Sequence, residues 1–440
     1  MANPLLSKNT IYSAAVLTSF SYGFTKLIQF GSNLILTRLL YPEAFGLMAL
    51  VNTIMLGMAM LSDVGITFSV IQSPKGDEKS FLLTAWTIKV GRGVILFILA
   101  CLLAWPVSLL YGEPLLFPLI CICSFKALFD GLQSILLLKA QRDMELKRFV
   151  LLQIAVQVIA FCLTIGFAVA LNSVWALALG SVCVSLIHLF LSHQFFKFDH
   201  SFTVDKAALR EIVKFGKWLI FATSITFAGG QGLKGIEGYL VGFDVLGFLF
   251  MAAMLSGFVT DGYQRIAGQV VFPYLSQLHR TQKQGIQQKF RILRLYIVLP
   301  SVLACVAISL FAPYIVNILY DERYQAVGPL LSISAINAAI LMQPKMYMDT
   351  LLAKGESKAQ FYYVSCYTVL AIFGTFVGFY SHGVTGMLVA QGLASACMYI
   401  YVLVVTRKTV AIPIALDSLC WALIGAGASL TYKLNFSSTV

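Results

Sequence analysis

An all-α polytopic membrane protein is the fold class that the sequence predicts, and three observations predict it. Hydrophobic residues make up 59% of the 440 and charged residues only 11%, with a mean hydropathy of +0.84. A soluble domain carries roughly 25% charged residues to solvate its surface, so this chain cannot coat a globule of its size. Apolar runs of the ~20 residues that cross ~30 Å of hydrocarbon recur along the whole chain. Lys and Arg collect in alternate breaks between them. The same composition excludes disorder, because disordered chains are poor in apolar residues.

The opening stretch Met1–Thr10 is short and polar, and the apolar segment after it lacks the small-residue pattern of a cleaved signal peptide. That segment is expected to remain as helix one. Runs near 11–37, 43–71, 81–110, 115–138, 149–171 and 174–196 give six spans before the basic connection Phe198–Lys217. Runs near 213–240, 245–277, 288–318, 327–352, 360–381 and 384–406 give six more, and a weaker thirteenth lies near 410–432. The expected organisation is a six-helix bundle over 1–197 and a cytoplasmic linker with the start of helix seven over 198–217. A second six-helix bundle covers 218–409, and an additional helix covers 410–440. An acid, two residues and a glycine open the second span of each half: Glu43-Ala-Phe-Gly46 and, 201 residues on, Asp244-Val-Leu-Gly247. An even number of spans returns the chain to its starting orientation, so the halves fit a parallel repeat, an arrangement that places substrate between rocking halves.

The N-terminus and the even-numbered connections hold 21 Lys and Arg, whereas the other side holds only Arg38, Arg323 and Lys433. Short loops with that asymmetry face the cytoplasm. The net charge of +12 is thus first a topology signal, and no nucleic-acid partner is expected.

Seven bases fall within spans: Lys26, Lys89, Arg92, Lys126, Lys234, Arg265 and Lys345. Six acids join them: Asp63, Asp130, Glu237, Asp261, Asp349 and Asp417. Charges in a span are costly and face a bundle interior or a wet cavity. Lys126/Asp130, Asp261/Arg265 and Lys345/Asp349 at i,i+4, and Lys234/Glu237 at i,i+3, share helix faces and are expected either to neutralise one another or to line a cavity. Lys26, Lys89 and Arg92 have no local acid, and Asp63 no local base. Lys89 and Arg92 lie in the first half of span three, where snorkelling to the headgroups competes with a cavity role. Lys26 lies midway along span one, where snorkelling is hardest.

The stretch Arg38-Leu-Leu-Tyr-Pro-Glu-Ala-Phe-Gly46 followed by Asp63-Val-Gly-Ile66 resembles the opening of the polysaccharide transporter family. These are the Wzx-type flippases and exopolysaccharide exporters of the multidrug/oligosaccharidyl-lipid/polysaccharide superfamily. Gln141-Arg142 to Arg148-Phe149 is similar to that family's basic fourth-to-fifth connection, and Glu237-Gly-Tyr-Leu-Val-Gly242 with Leu246-Gly247-Phe248 to its seventh-span pattern. Here Glu237 stands where Asp is usual and Phe248 where Tyr is usual, so the acid keeps its charge on a longer arm. The resemblance implies movement of a polyprenyl-diphosphate-linked oligosaccharide from the inner to the outer leaflet by alternating access. It also implies a bacterial inner membrane, lipid contacts, and a polysaccharide polymerase and export machinery as partners. The substrate-binding candidates are Lys26, Lys89, Arg92 and Arg38; the coupling-ion or gating candidates are Asp63, Glu237 and Asp349. A peptidoglycan-precursor flippase fits the same anionic substrate. A multidrug or cation antiporter would want an excess of acids, the reverse of what the spans hold.

An enzyme is not expected. The outer connections, such as Tyr111-Gly-Glu-Pro114 and Asn172-Ser173, are too short to carry an acid–base constellation. His188, His193, His200, His279 and His382 sit at or near span ends without metal-ligand spacing. The nine cysteines lie inside apolar stretches with no C-x-x-C pair, so neither disulfides nor a metal is expected, and no cofactor. Gly229-Gly230-Gln-Gly232 in span seven fits either close packing or a bend, and Pro273, Pro300 and Pro344 are expected to kink spans eight, nine and ten.

Overall fold

The computed structural model describes residues 8–62, 66–73, 75–142, 146–212, 227–267, 271, 275, 286–354, 356–407 and 413–436. Asp63, Pro273, His279 and the start of span seven lie outside the described residues. Among those described, helix is the only repeating structure. Among the described residues, nine helices are long and apolar enough to cross a membrane. One of them, Ser357–Thr406, is two helices joined at His382 and Gly383. Gly383 has φ +62° there, a turn geometry that a side chain resists, and it separates the eleventh and twelfth spans where the sequence places their connection.

The chain divides into two compact units, Met1–Phe227 and Ala228–Val440. In the first, α1 (Lys8–Leu39) packs against α7 (Leu146–Leu171), and α7 against α8 (Val174–Phe195). Spans two and four are each broken. The second is α2 (Pro42–Leu61) followed by α3 (Ile66–Gln72), and the fourth is α5 (Leu116–Leu132) followed by α6 (Leu136–Arg142). The unbroken α4 (Lys79–Tyr111) packs against α2, α3 and α5, and the short helices α3 and α6 meet each other. The break after α5 explains why that helix has only 17 residues.

The second unit opens with a π-helical turn at Ala228–Gly232, then α9 (Leu233–Leu240), α10 (Phe243–Ile266) and α11 (Ile286–Leu293). A second π turn, Arg294–Val298, leads into α12 (Leu299–Leu319). Pro300 has no N–H to return to the preceding turn, and that wide turn directly precedes it. The first π turn carries the three glycines of the span-seven motif. The unit is completed by α13 (Val327–Ala353), α14 (Ser357–Thr406) and α15 (Ile414–Phe436). The central element is α13, packed by α10, α12, α14 and α15; Pro344 lies inside it. Large apolar side chains such as Leu102, Trp105, Ile318, Phe373 and Tyr380 are exposed, on a scale that a soluble surface does not tolerate and a bilayer covers.

The last helix is fastened by one buried cluster. Arg294, counted by the sequence among the loop cations, is fully buried, and its Nη2 lies 2.6 Å from Asp417 Oδ1 of α15. The guanidinium also donates to Gln343 Oε1 at 2.8 Å and lies 4.5 Å from the centre of the Tyr347 ring. Tyr347 and Tyr399 both donate to Asp417 Oδ2. Asp417 therefore has a non-local base, and its helix is an integral part of the second unit. Arg294→Gln should leave Asp417 buried without its cation and cost about 3–5 kcal/mol, read as a fall in melting temperature in detergent. The double variant Arg294→Met with Asp417→Leu should recover most of that loss, because no charge then remains buried.

A second expectation concerns pH. His200 Nε2 accepts from the Ile135 N–H at 3.4 Å, which requires a neutral ring. Burial, then the neighbouring His193, holds the His200 imidazole below its ordinary value. A base held low binds fewer protons folded than unfolded, so its contribution is present above ordinary imidazole values and is lost as pH falls through the folded value. Melting temperature should drop on acidification below about pH 6.5, and His200→Gln should flatten that part of the profile.

Candidate functional site: a cationic cavity in the first unit

The two breaks in the first unit create free backbone ends, and buried backbone groups need hydrogen-bond partners. Side chains of α4 do so instead. Arg92 donates from Nε to the Ser62 hydroxyl at 3.0 Å and from Nη2 to the Ala59 carbonyl, at the C-terminal end of α2. Lys89, one helical turn earlier, reaches the Gln133 carbonyl at 3.4 Å, beyond the last residue of α5. Trp86 donates to the Leu132 carbonyl at 3.5 Å, and His193 Nε2 lies 3.0 Å from the same oxygen. On the far side of that break the Ser134 N–H donates to Ser192 Oγ. Cations at helix C-termini also oppose the negative end of the helix dipole, by ~0.3–1 kcal/mol each where exposed.

The same two cations line a cavity of about 430 Å³. Asn52, Met55 and Ala59 of α2 form one wall, Lys89, Arg92 and Gly93 of α4 another, and Lys126, Asp130 and Gly131 of α5 the third. Asp130 Oδ1 accepts from Gln133 Nε2 at 2.9 Å, and Gln133 Nε2 is 3.1 Å from His188 Nδ1. Lys126 and Asp130 share a face but form no ion pair among the described residues. The walls thus present three cations against one carboxylate. Such a field attracts an anion and repels an organic cation.

Two glycines set how closely the cation-bearing and acid-bearing helices approach. A Cβ on Gly93 would sit 2.7 Å from the Ala127 carbonyl oxygen, and one on Gly131 would sit 3.0 Å from that of Lys89. Small residues of this kind let helices touch in a membrane.

The structure brings together Lys89 and Arg92 among the candidates from sequence, and adds Lys126, Asp130 and Asn52. Lys26, half-buried on α1, and Arg38, exposed at its end, are absent from the lining of this cavity, and each is engaged elsewhere. Glu237 and Asp349 belong to the second unit. Glu237 Oε1 accepts from Gln391 Nε2 at 2.9 Å, and that amide also reaches Thr375 Oγ1 at 3.1 Å. Asp349 Oδ2 is buried without a hydrogen-bond partner, as is the Tyr263 hydroxyl. Neither acid forms an ion pair with its lysine neighbour on the same helix among the described residues. No group of three metal-ligating side chains occurs among the described residues.

Long apolar helices in two units, with a charged cavity between broken helices, define a multi-pass membrane protein with a transporter-type fold. The chain belongs to the polysaccharide biosynthesis protein family, which it matches over residues 35–329. It is 23% identical over 409 residues to a membrane protein of the cps region of Klebsiella pneumoniae, covering 90% of this chain and 82% of that one. Its fold is similar to that of the lipid II flippase MurJ in an inward closed conformation. That likeness has a TM-score of 0.71 and 14% identity over 96% of this chain and 93% of the other. It is also similar to an inward-facing multidrug resistance MATE family transporter of the MOP superfamily, with a TM-score of 0.68 and 13% identity over 92% and 98%.

The α4–α5 contact gives a test. Gly93→Val should force the helices apart and cost about 1–3 kcal/mol, seen as a lower melting temperature. Gly91→Ala on the same helix, where a Cβ meets nothing within 4 Å, should be neutral or slightly stabilising.

Proposed function

We propose that the protein is a flippase that carries a polyprenyl-diphosphate-linked oligosaccharide from the inner to the outer leaflet for surface or exopolysaccharide synthesis. The observation that carries this reading is the cavity lined by Lys89, Arg92 and Lys126 against a single acid, Asp130. The lipid tail stays in the bilayer during transfer; the diphosphate is a dianion and loses its hydration unless fixed cations replace it. Membership of the polysaccharide biosynthesis family and likeness to a cps-region membrane protein support a glycan destined for the cell surface. The two halves alternate access by rocking, as in transporters built from parallel repeats. The protein sits in the bacterial inner membrane with its N-terminus and basic connections in the cytoplasm, and a polysaccharide polymerase and export machinery take up the product. It performs no bond-making chemistry.

An inside-negative potential favours outward movement of an anion by about 2.3 kcal/mol per charge per 100 mV. Any coupling ion would engage Glu237, Asp349 or Asp63, of which Glu237 has two further polar side chains, Gln391 and Thr375, in line with it. Likeness to the lipid II flippase supports a second reading, a peptidoglycan precursor as cargo, which has the same anionic head.

Deletion should cause polyprenyl-linked oligosaccharide to accumulate and a surface or secreted polysaccharide to disappear, read by lipid mass spectrometry and glycan staining. Accumulation of peptidoglycan precursor instead would favour the second reading, and resistance to cationic dyes with unchanged glycan would overturn both. Lys126→Gln should reduce export at least tenfold with protein level intact, since Lys126 lines the cavity but caps no helix end. External cysteine labelling should reach position 113 and not position 206; labelling of both from one side would overturn the orientation and with it the inferred transport direction.

A further inference from the structure

A second cavity of about 390 Å³ lies in the first unit, at the end where α6 finishes, α7 begins and α8 finishes. Its lining includes Lys139, Arg148, Gln194, Phe196 and Lys197. It shares no residue with the cavity between α2, α4 and α5. Lys139 is held by Asp77 at 3.1 Å. Arg148 and Lys197 are exposed, and among the described residues neither meets a carboxylate. The site thus has one neutralised cation and two available ones around a recess with an aromatic floor, Phe196 being 5% exposed.

Below this recess the surface turns apolar. Leu151, one turn beyond Arg148 on α7, is 56% exposed, and Phe190, one turn before Gln194 on α8, is 66% exposed. Cations at a helix end with an exposed apolar strip on the same helix faces match one ligand shape, an anionic head on a hydrocarbon tail.

We infer that Arg148 and Lys197, with Gln194 between them, bind the phosphate headgroup of an anionic glycerophospholipid of the surrounding bilayer, its acyl chain lying against Leu151 and Phe190. The cations satisfy the phosphodiester oxygens, Arg148 through its planar fork and Lys197 as a point charge. Basic recesses between transmembrane helices are suited to such heads. The site lies outside the cavity assigned to cargo, so it concerns the protein's lipid environment and stands whichever cargo is carried.

The test uses the full-length protein in nanodiscs of equal phosphatidylglycerol and phosphatidylcholine, released and weighed by native mass spectrometry. Wild type should retain phosphatidylglycerol in clear excess. Arg148→Gln with Lys197→Gln should lower that retention about twenty-five-fold, given a surface contribution of about fivefold per cation. Lys206→Gln with Lys358→Gln removes two exposed cations elsewhere and should leave retention unchanged. Should the first pair fail to fold, Arg148→Lys, which keeps the charge and loses the fork, should retain phosphatidylglycerol, and Lys197→Gln alone should lose it severalfold. Equal retention of the two lipids by wild type would overturn the inference. So would undiminished retention in the variants, or complete displacement of the lipid by millimolar inorganic phosphate, which would mark a plain anion site.

Discussion

The first unit depends on one constraint: a backbone interrupted inside a packed bundle must find partners for its freed N–H and C=O groups. Two of its spans stop short and restart, and α4 runs between the breaks. From one face α4 supplies Trp86 to Leu132, Lys89 to Gln133 and Arg92 to Ala59 and Ser62. The spacing follows from the helix: positions 86, 89 and 92 advance by about one turn each and stay on one face. Lys89 and Arg92 are close enough to repel, and the arrangement holds because each faces the negative end of a different helix. The cationic cavity is a consequence of the same contacts. The ammonium and guanidinium that cap the breaks are the ones that face the space between α2, α4 and α5.

That double duty predicts how substitutions divide. Removing Lys89 or Arg92 removes a cation from the cavity and uncaps a helix end, so loss of function there mixes two effects. Lys126 and Asp130 cap no break, and Asp130 keeps a hydrogen bond from Gln133 whatever Lys126 does. The Lys89 and Arg92 side chains are directed to carbonyl oxygens inside the bundle.

Composition and the spacing of basic loops were enough to read an all-α membrane chain, because the bilayer leaves little choice of span length and loop charge. Among the described residues the long helices overlap the apolar runs, and the join at His382 and Gly383 falls between two of them. The end of α2 at Ser62 and the break at residues 133–135 were not legible. Spans 43–71 and 115–138 read as continuous, since Ser62 and Gln133-Ser134 are mild polar interruptions with no proline. Of what satisfies the second break, Ser192, His193 and His200 lie some sixty residues away in sequence. The histidines looked idle by the test of metal spacing, and three of the five lie at or beside one break. Arg294 misled for the opposite reason. It follows a basic amphipathic stretch and reads as a loop residue, while its acid, Asp417, is 123 positions on in the segment with the weakest apolar signal. Spacing at i,i+3 and i,i+4 placed Lys126/Asp130, Lys234/Glu237 and Lys345/Asp349 on shared faces, yet among the described residues none of these pairs forms an ion pair.

Once Arg294 and Asp417 are matched, charge is distributed unequally between the two units. The first holds the cation-rich cavity, with Asp130 as its one carboxylate. The second holds Glu237, presented to Gln391, and Asp349, whose Oδ2 and the nearby Tyr263 hydroxyl are buried without partners. A buried carboxylate is costly when ionised and cheap when protonated or joined by a cation, so its state responds to what arrives beside it. Fixed guanidinium and ammonium groups held by carbonyls respond far less. On the proposed flippase reading, the chain separates a static field suited to an anionic cargo from acids whose charge can change. A transporter needs both, because cargo binding alone gives no direction, and a change of charge in one unit supplies a difference between two conformations that a ligand can bias.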